Sequence, residues 1–300
     1  MAIYVEIDIA ADLERVWELT QSPDLHERWD LRFSGIEYLP KVAGEPQRFR
    51  YSTRLGFGMR VEGVGESVAE RSSDGCAVSS LKFWSDDPKS LIREGSGFWK
   101  YSRLNGKTRF VTGFDYEPRY GLAGRLFDRF VFRPLIGWAT AWSFDSMRLW
   151  IERSVPPEVA RRHALIHLAA RLGLAVVWVY QGLVPKLLFP QAGEAAIMRQ
   201  ANLPLLPPTT WLVIVGVLEV VYGVLVIACF RSRWVIGLQI PALVALSLAA
   251  LLTTPKLFVG PFNPLTLNVA LLALVAVALF AEQDLPSARG CRRKKAVERA

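Results

Sequence analysis

Four long apolar segments in the second half of the sequence constrain the fold more strongly than any other feature. They comprise residues 172–188, 211–230, 234–253 and 265–281, and each contains 17 to 20 residues. An α-helix rises about 1.5 Å per residue, so each segment spans roughly 25–30 Å, close to the hydrocarbon thickness of a bilayer. The sequence therefore predicts an all-α bundle of four transmembrane helices.

Charged residues are divided unevenly between the two halves of the chain. Residues 1–160 contain 22 basic and 23 acidic residues, whereas residues 161–300 contain 14 basic and 5 acidic residues. The net charge of +8 therefore arises beside the apolar segments, where Lys and Arg set membrane orientation and meet anionic lipids. This excess gives no reason to expect nucleic acid as a partner. The three cysteines are far apart and form no CxxC motif, which argues against a disulfide framework or a cysteine zinc site.

The distribution of basic residues also predicts the orientation of the bundle. Lys and Arg concentrate on one side, at Arg161, Arg162, Arg171, Arg231, Arg233 and six positions between 289 and 299. Basic loops favour the cytoplasmic side, and the N-terminal residues show neither the basic region nor the apolar segment of a signal peptide. We expect a multi-pass protein of the inner cell membrane whose N-terminal domain and C-terminal tail are cytoplasmic.

Two ionisable residues lie inside the apolar segments, where an unpaired charge is costly. Helical rise places Glu219 about 12 Å and Lys186 about 9 Å below the same face of the bilayer. We expect the two to pair, because pairing avoids an isolated buried charge. Other polar side chains are expected to complete this intramembrane cluster, namely Tyr180, Tyr222 and Asn268, with Gln181 and Gln239 as further members. The alternative is that Lys186 extends to the headgroups and Glu219 is protonated.

Three sequence blocks of the second half carry a family resemblance. They are WVYQGLVPKLLFP (178–190), GVLEVVYG around Glu219, and PFNPLTLN (261–268). Together they resemble the DoxX-like family of small four-helix bacterial membrane proteins, over residues 165–282. The resemblance implies the four-helix architecture. The family is named after a subunit of an archaeal thiosulfate:quinone oxidoreductase, so a quinone is the one cofactor it leaves open, and none is predicted from the residues themselves.

The first half of the sequence has the pattern of a mixed α and β domain. Residues 3–9 alternate between apolar and polar side chains, which predicts a strand with one buried face. Two short helices are expected, one from Asp12 and one after Ser22-Pro23. A long helix with a bend at Pro134 is expected over residues 120–153. Strands are expected near residues 34–39, 47–55, 59–70, 75–84, 91–101 and 108–117.

This order of elements, with VWELTQSPDLHERW (16–29) near its start, resembles the START-like superfamily, also called SRPBCC or polyketide cyclase/dehydrase. The resemblance implies an α+β helix-grip fold, in which a curved sheet wraps the last helix and leaves a cavity for a hydrophobic ligand. Large aromatic residues on the strands and the last helix are expected to line that cavity, namely Trp84, Trp99, Phe114, Trp138 and Trp142. Packing of an ordinary core is the alternative explanation for these residues.

The histidines give little indication of catalysis, and no catalytic residue is predicted. His26 is expected at a surface or helix end. His163 and His167 are four residues apart on the helix that enters the first span, and we expect an interfacial pair at the headgroups rather than a metal site. Asp115 and Glu117 are expected at a solvated strand end, and a catalytic pair of carboxylates is the alternative. Metal ligands in a suitable set are not predicted.

The long helix of the first half offers a second interpretation. Arg125, Arg129 and Arg133 recur every four residues and form a basic stripe that either faces solvent or contacts the bilayer. A solvated charged face is the default expectation, and bilayer contact is the alternative.

The chain is therefore predicted to comprise a START-like domain (1–153), a short linker (154–164), a DoxX-like membrane domain (165–283) and a basic tail (284–300). The function expected is binding of a hydrophobic small molecule, such as a lipid, isoprenoid or quinone, by the cytoplasmic domain beside the membrane bundle. One alternative is an enzyme, either a quinone-linked oxidoreductase subunit or a cyclase-type enzyme. Another is a structural or regulatory membrane subunit. The bilayer is the expected partner, with a second copy or a different membrane subunit as further options.

Overall fold

The computed structural model describes residues 2–56, 58–73, 75–261 and 263–295. The described chain forms two compact units. One consists of residues 2–161 together with residues 286–295, and the other consists of residues 162–285. The region predicted as a basic tail is thus divided, since its first two residues belong to the membrane unit and residues 286–295 belong to the N-terminal unit. Its last residues, 296–300, lie outside the described residues.

A seven-stranded antiparallel sheet forms the framework of the N-terminal unit. Its strands are β1 (Ile3–Ile9), β2 (Gly35–Tyr38), β3 (Arg48–Gly56), β4 (Met59–Ser73), β5 (Cys76–Trp84), β6 (Ile92–Leu104) and β7 (Lys107–Pro118). The strand order is β1-β7-β6-β5-β4-β3-β2. Since consecutive strands from β2 to β7 are neighbours, the sheet is a meander that β1 completes at one edge.

The helices of this unit lie in two groups. The first group connects β1 to β2, and the second follows β7. They are α1 (Leu13–Gln21), α2 (Pro23–Trp29), α3 (Gly121–Phe127), a π-helical turn (Asp128–Phe132) and α4 (Arg133–Arg153). The π-helical turn ends just before Pro134, which stands in the first turn of α4, where its missing N–H is tolerated.

Helix α4 packs against the concave face of the sheet. The ring of Phe144 on α4 stacks on that of Phe110 on β7, with centroids 4.4 Å apart. Leu19 of α1 and Met147 of α4 are fully buried in the same cluster. One sheet, two connecting helices and a long final helix in its grip constitute the α+β helix-grip fold predicted from the sequence.

Glycines on the concave face lie beneath aromatic rings of the neighbouring strands. A Cβ on Gly65 would be 2.3 Å from the ring of Phe49, and one on Gly95 would be 2.5 Å from the ring of Phe83. Contacts this short do not occur between real atoms, so a side chain at either position would displace the ring. The glycines therefore allow the rings to lie flat, and the concave face becomes aromatic.

Residues 286–292 are packed against the N-terminal unit. Ser287 donates a backbone hydrogen bond to Asp145 of α4 at 2.7 Å, and the buried Cys291 thiol lies 3.2 Å from the carbonyl of Ala141. Arg292 and Glu6 exchange two backbone hydrogen bonds of 2.9 Å each. These two bonds pair the backbone groups of Glu6 on the outer edge of β1, which would otherwise be unpaired.

Among its described residues, the membrane unit contains four helices that are long and apolar enough to cross a bilayer, in agreement with the four spans predicted. They extend over Pro157–Leu188, Pro208–Ala228, Arg233–Thr253 and Pro264–Ala281. The elements are α5 (Pro157–Gly182) continued by a π-helical turn (Leu183–Leu188), α6 (Glu194–Ala201), α7 (Pro208–Ala228), α8 (Arg233–Gly237), α9 (Gln239–Thr253) and α10 (Pro264–Ala281).

Helices α5 and α7 approach each other at glycines. A Cβ on Gly182 would be 2.4 Å from the carbonyl oxygen of Gly216, and one on Gly223 would be 2.9 Å from the carbonyl oxygen of Ala175. Small residues permit such close backbone contact in membranes. As a result, Lys186, which follows Gly182, and Glu219, which follows Gly216, are brought within bonding distance.

Candidate functional site

A group of three polar residues lies inside the aromatic core of the helix-grip unit. His26, Asp30 and Arg32 surround the end of α2, and Asp30 is only 1% exposed. His26 is one helical turn before Asp30, so its ring is on the same face and its Nε2 lies 3.0 Å from Asp30 Oδ2. The chain turns immediately after Asp30, whose Oδ1 accepts the backbone N–H of Arg32 at 3.0 Å. Local geometry alone thus assembles the group.

Arg32 completes the group by a bidentate contact with the carboxylate of Asp30. Its Nη2 lies 2.6 Å from Asp30 Oδ2 and its Nε lies 2.9 Å from Oδ1. Burial by itself would raise the pKa of Asp30, but the charge of Arg32 and hydrogen bonds from Arg32 and His26 lower it well below its ordinary value. Asp30 is therefore ionised and balances the charge of Arg32.

The protonation of His26 follows from its surroundings. Burial lowers the pKa of His26, although Asp30 opposes this effect. The ring is therefore neutral near pH 7. Asp30 is ionised and accepts a hydrogen bond, so the proton is on Nε2 and the lone pair is on Nδ1. Within the part of the chain that the structure describes, neither His26 Nδ1 nor Arg32 Nη1 has a hydrogen-bond partner.

Aromatic side chains surround these two open positions. The His26 ring stacks on Trp29 at 4.8 Å and meets the edges of Trp99 at 5.0 Å and Phe33 at 5.3 Å. The Arg32 guanidinium lies 5.5 Å from the centre of the Phe114 ring. One acceptor and one donor therefore lie next to aromatic side chains.

The five predicted cavity residues do not share one location. Trp99 and Phe114 face the polar group, and Trp142 is buried in α4. Trp84 lies on the opposite face of the sheet, because it follows Phe83, which faces inward against Gly95, and side chains alternate along a strand. Trp138 is 43% exposed on α4. The prediction was therefore wrong about the position of Trp84 and Trp138.

His26, which was expected at a surface or helix end, lies in the last turn of α2 but is not at the surface. His26 is 8% exposed. The signal in the sequence was the spacing of His26, Asp30 and Arg32 around Trp29 and Phe33, since an i, i+4 pair in a helix lies on one face. Asp115 is half-exposed and bonds to Arg133 at 2.7 Å. It lies at the solvated strand end that was expected.

In the membrane unit the structure places Lys186 and Glu219 together. Lys186 Nζ lies 3.0 Å from Glu219 Oε2 and 3.7 Å from Glu194 Oε2. Pro185 has no N–H, so the carbonyl of Gln181, four residues earlier, loses its usual helical donor. Lys186 Nζ donates to that carbonyl at 3.2 Å. The π-helical turn, Pro185 and the ion pair therefore form one local arrangement.

The other residues predicted for the intramembrane cluster lie elsewhere. Tyr180 is 57% exposed, because two residues along a helix turn the side chain by about 200° from Gly182. Tyr222 donates to the carbonyl of Val235 at 2.5 Å, and Asn268 donates to Ser247 at 2.8 Å. The single polar cluster of the prediction is thus resolved into separate contacts. Gln181 takes part only through its backbone carbonyl.

Arg171 and His167, four residues apart on α5, form a buried pair, whereas the sequence analysis placed His167 at the headgroups together with His163. Both are 0% exposed. Arg171 donates to the carbonyls of Val226 and Cys229, at 2.6 and 2.9 Å, and thereby satisfies the C-terminus of α7. Its Nε donates to His167 Nε2 at 2.9 Å. The role is structural, and the expectation of an interfacial histidine pair was wrong for His167.

Within the described residues no cluster of three His, Cys, Asp or Glu side chains is placed to hold a metal ion.

The two halves together define the class of protein: a membrane protein with a helix-grip domain and a DoxX-like four-helix bundle. Residues 175–276 match the model of the DoxX-like family.

Known proteins match each half of the chain. The uncharacterized membrane protein YndG of Bacillus subtilis (strain 168) is 52% identical over 188 residues, which cover 60% of this chain and 68% of that protein. The chain belongs to the family of YndG. Solved structures that match the first half include the Zhui aromatase/cyclase from Streptomyces sp. R1128, at 16% identity, covering 46% of this chain and 87% of that one, with a TM-score of 0.36. A STAR-related lipid transfer protein from Xanthomonas axonopodis matches at 15% identity, covering 45% and 80%, with a TM-score of 0.36.

Proposed function

We propose that the helix-grip domain binds an apolar small molecule that carries a hydroxyl group, on the cytoplasmic side of the inner membrane. The observation that carries this proposal is the His26–Asp30–Arg32 group, buried among aromatic rings with one acceptor and one donor unused. A protein core built only for stability gains little from such a group, because apolar residues of similar volume would serve as well or better.

The chemistry of the open positions defines the ligand class. A hydroxyl group donates one hydrogen bond and accepts others. It therefore matches His26 Nδ1, which accepts, and Arg32 Nη1, which donates. The opposite charges of Asp30 and Arg32 cancel, so the pocket has no net charge that favours an anion or a cation. Isoprenoid alcohols, hydroxylated lipids and hydroquinones all belong to this class.

The cytoplasmic location is supported by the basic residues of the membrane unit. Arg231 lies between the second and third spans, Arg233 is the first residue of the third, and Arg162 precedes the apolar part of the first. In a bundle of four spans these positions are on one side, which the positive-inside rule assigns to the cytoplasm. Residues 2–161 and 286–295 share that side, since they form one unit before the first and after the fourth span.

Binding of paired probes to the full chain in lipid nanodiscs tests the ligand class. We expect 1-naphthol to bind and to accept excitation energy from nearby tryptophans such as Trp99, and naphthalene to bind more weakly because it lacks the hydroxyl group. When naphthalene binds, the hydrogen bonds of the hydroxyl group to His26 and Arg32 are missing. Each polar group that is left buried without a partner costs about 1–3 kcal/mol. Empty nanodiscs correct for partition into lipid.

Two variants distinguish the pocket from unspecific uptake. His26→Phe removes the acceptor and keeps an aromatic ring, so it should abolish the preference for naphthol over naphthalene. Tyr180→Phe removes a hydroxyl group from the membrane unit and serves as the matched control that keeps the preference. An equal affinity of the wild type for both probes would contradict the proposal, as would an unchanged preference in a folded His26→Phe protein.

A further inference from the structure

We infer that the surface of residues 121–138 is a second site of lipid contact, which lies on the face of an anionic bilayer with its apolar side chains among the headgroups. We call it the α3 surface. Its apolar members are all exposed, namely Leu122, Leu126, Phe127, Phe130, Val131, Leu135 and Trp138. This inference does not depend on the proposed ligand pocket.

The α3 surface is an amphipathic segment with its apolar side turned outward. Leu122 and Phe130 are 74% and 70% exposed, whereas Asp128, the only acidic residue in the segment, is 4% exposed. Asp128 accepts hydrogen bonds from Tyr116 Oη at 2.6 Å and Arg133 Nε at 2.8 Å. A helix on a water-soluble surface shows the reverse arrangement. Apolar patches of this kind mark places where another molecule binds.

The segment is held firmly against the sheet at its polar side. Arg133 bonds to Asp115 on β7 at 2.7 Å as well as to Asp128. Before α3, Arg119 donates to the carbonyls of Ser85 and Asp87, and Tyr120 donates to the carbonyl of Pro88. The exposed rings are therefore fixed in an outward position by hydrogen bonds on the other side of the segment.

The charges of the segment favour an anionic bilayer over other occupants. Arg125 and Arg129 are exposed between the apolar side chains, and Arg133, the third member of the predicted basic stripe, is turned inward. The exposed part of residues 121–138 thus carries two cations and no acidic group. Basic residues interleaved with Leu, Phe and Trp are the composition of helices that lie in a membrane interface.

The attachment of the domain to the membrane adds a second argument. Helix α4, which begins within the α3 surface, ends at Arg153, and α5, the first membrane-length helix, begins at Pro157. A connection of three residues keeps the bilayer at a high effective concentration for every surface of the tethered unit. A second copy of the chain has no such advantage.

Site-specific fluorescence in vesicles tests the inference with the full-length protein. Cys76, Cys229 and Cys291 are replaced with Ala, and an environment-sensitive fluorophore is attached through Phe130→Cys. The matched control is Val68→Cys on β4, an apolar position that is 47% exposed. Vesicles of phosphatidylcholine, with or without phosphatidylserine, contain a lipid that carries a nitroxide near the headgroup.

We expect the nitroxide lipid to quench the fluorophore at position 130 and to leave that at position 68 unchanged. Quenching at 130 should increase with phosphatidylserine, and Arg125→Gln with Arg129→Gln should remove that dependence. Equal and weak quenching at both positions would overturn the inference. A blue shift at 130 that depends on the protein-to-lipid ratio, without quenching by the nitroxide lipid, would identify a second copy as the occupant and would also overturn it.

Discussion

Replacing Lys186 with Met should destabilise the membrane bundle more than replacing Glu219 with Gln. Removal of one partner from a buried ion pair typically costs about 3–5 kcal/mol. In Glu219→Gln, Lys186 keeps two partners, Glu194 at 3.7 Å and the carbonyl of Gln181 at 3.2 Å, so we expect about 3 kcal/mol. Lys186→Met leaves Glu219 unpaired and also leaves that carbonyl without a donor, which adds about 1–3 kcal/mol.

The double variant should recover about 2–3 kcal/mol of the summed single losses, because neither partner is then left with an isolated charge. Unfolding of the bundle is measured as labelling of Cys229 during titration with sodium dodecyl sulfate. Cys76 and Cys291 are replaced, so Cys229 is the cysteine that reports on residues 162–285. Losses that add to within about 0.5 kcal/mol would show that the two side chains do not interact.

Pro185→Ala provides the control for the carbonyl. It restores a backbone N–H that can bond to the Gln181 carbonyl, as in a regular helix. In that background, Lys186→Met should cost only about as much as Glu219→Gln. If Lys186→Met costs the same with and without Pro185, the contact between Lys186 and the Gln181 carbonyl contributes no stability and that part of the reasoning is wrong.

Three further predictions concern other buried groups. Burial lowers the pKa of His26, so below about pH 6.5 the folded state binds fewer protons than the unfolded state. The free energy of unfolding should therefore decrease as the pH is lowered below that value. His26→Phe should make the melting temperature less dependent on pH. Arg171→Lys should cost about 3 kcal/mol in the same detergent titration, because an ammonium cannot reproduce the planar fork of donors. Gly182→Ala should destabilise the bundle, whereas Gly237→Ala, with nothing within 4 Å of the added Cβ, should not; similar losses in both would contradict the close contact of α5 and α7.

Local patterns were sufficient to predict the seven strands and the four spans, whereas α6 and the two π-helical turns were not predicted. The seven strands follow alternating segments, and turn residues such as Asn105-Gly106 separate them. The four spans follow from length and apolarity alone. The pairing of Lys186 with Glu219 could be predicted because helical rise determines the depth of a residue in the membrane and because each buried charge requires a partner.

The predictions that failed depended on which face a residue occupies. Trp84 and Phe83 are neighbours on β5, and only the tertiary packing of Phe83 against Gly95 determines which of them faces inward. Tyr180 precedes Gly182 by two residues, so its side chain is turned by about 200° from the face on which α5 contacts α7. His26 and His167 have sequence surroundings that resemble those of surface histidines, and their burial depends on partners that are distant in sequence, Trp99 and Ala278.

The bonds between Arg292 and Glu6 have a consequence for the order in which the protein is made. The helix-grip unit is interrupted by the whole membrane bundle, since its last segment is synthesised after the fourth span. While the chain emerges from the ribosome, β1 can pair with β7 but its outer edge remains open until residue 292 is available. An unpaired edge is prone to associate with other chains. Completion of the helix-grip unit therefore waits for synthesis of the membrane bundle, and an odd number of inserted spans would leave Arg292 on the wrong side of the bilayer to reach Glu6.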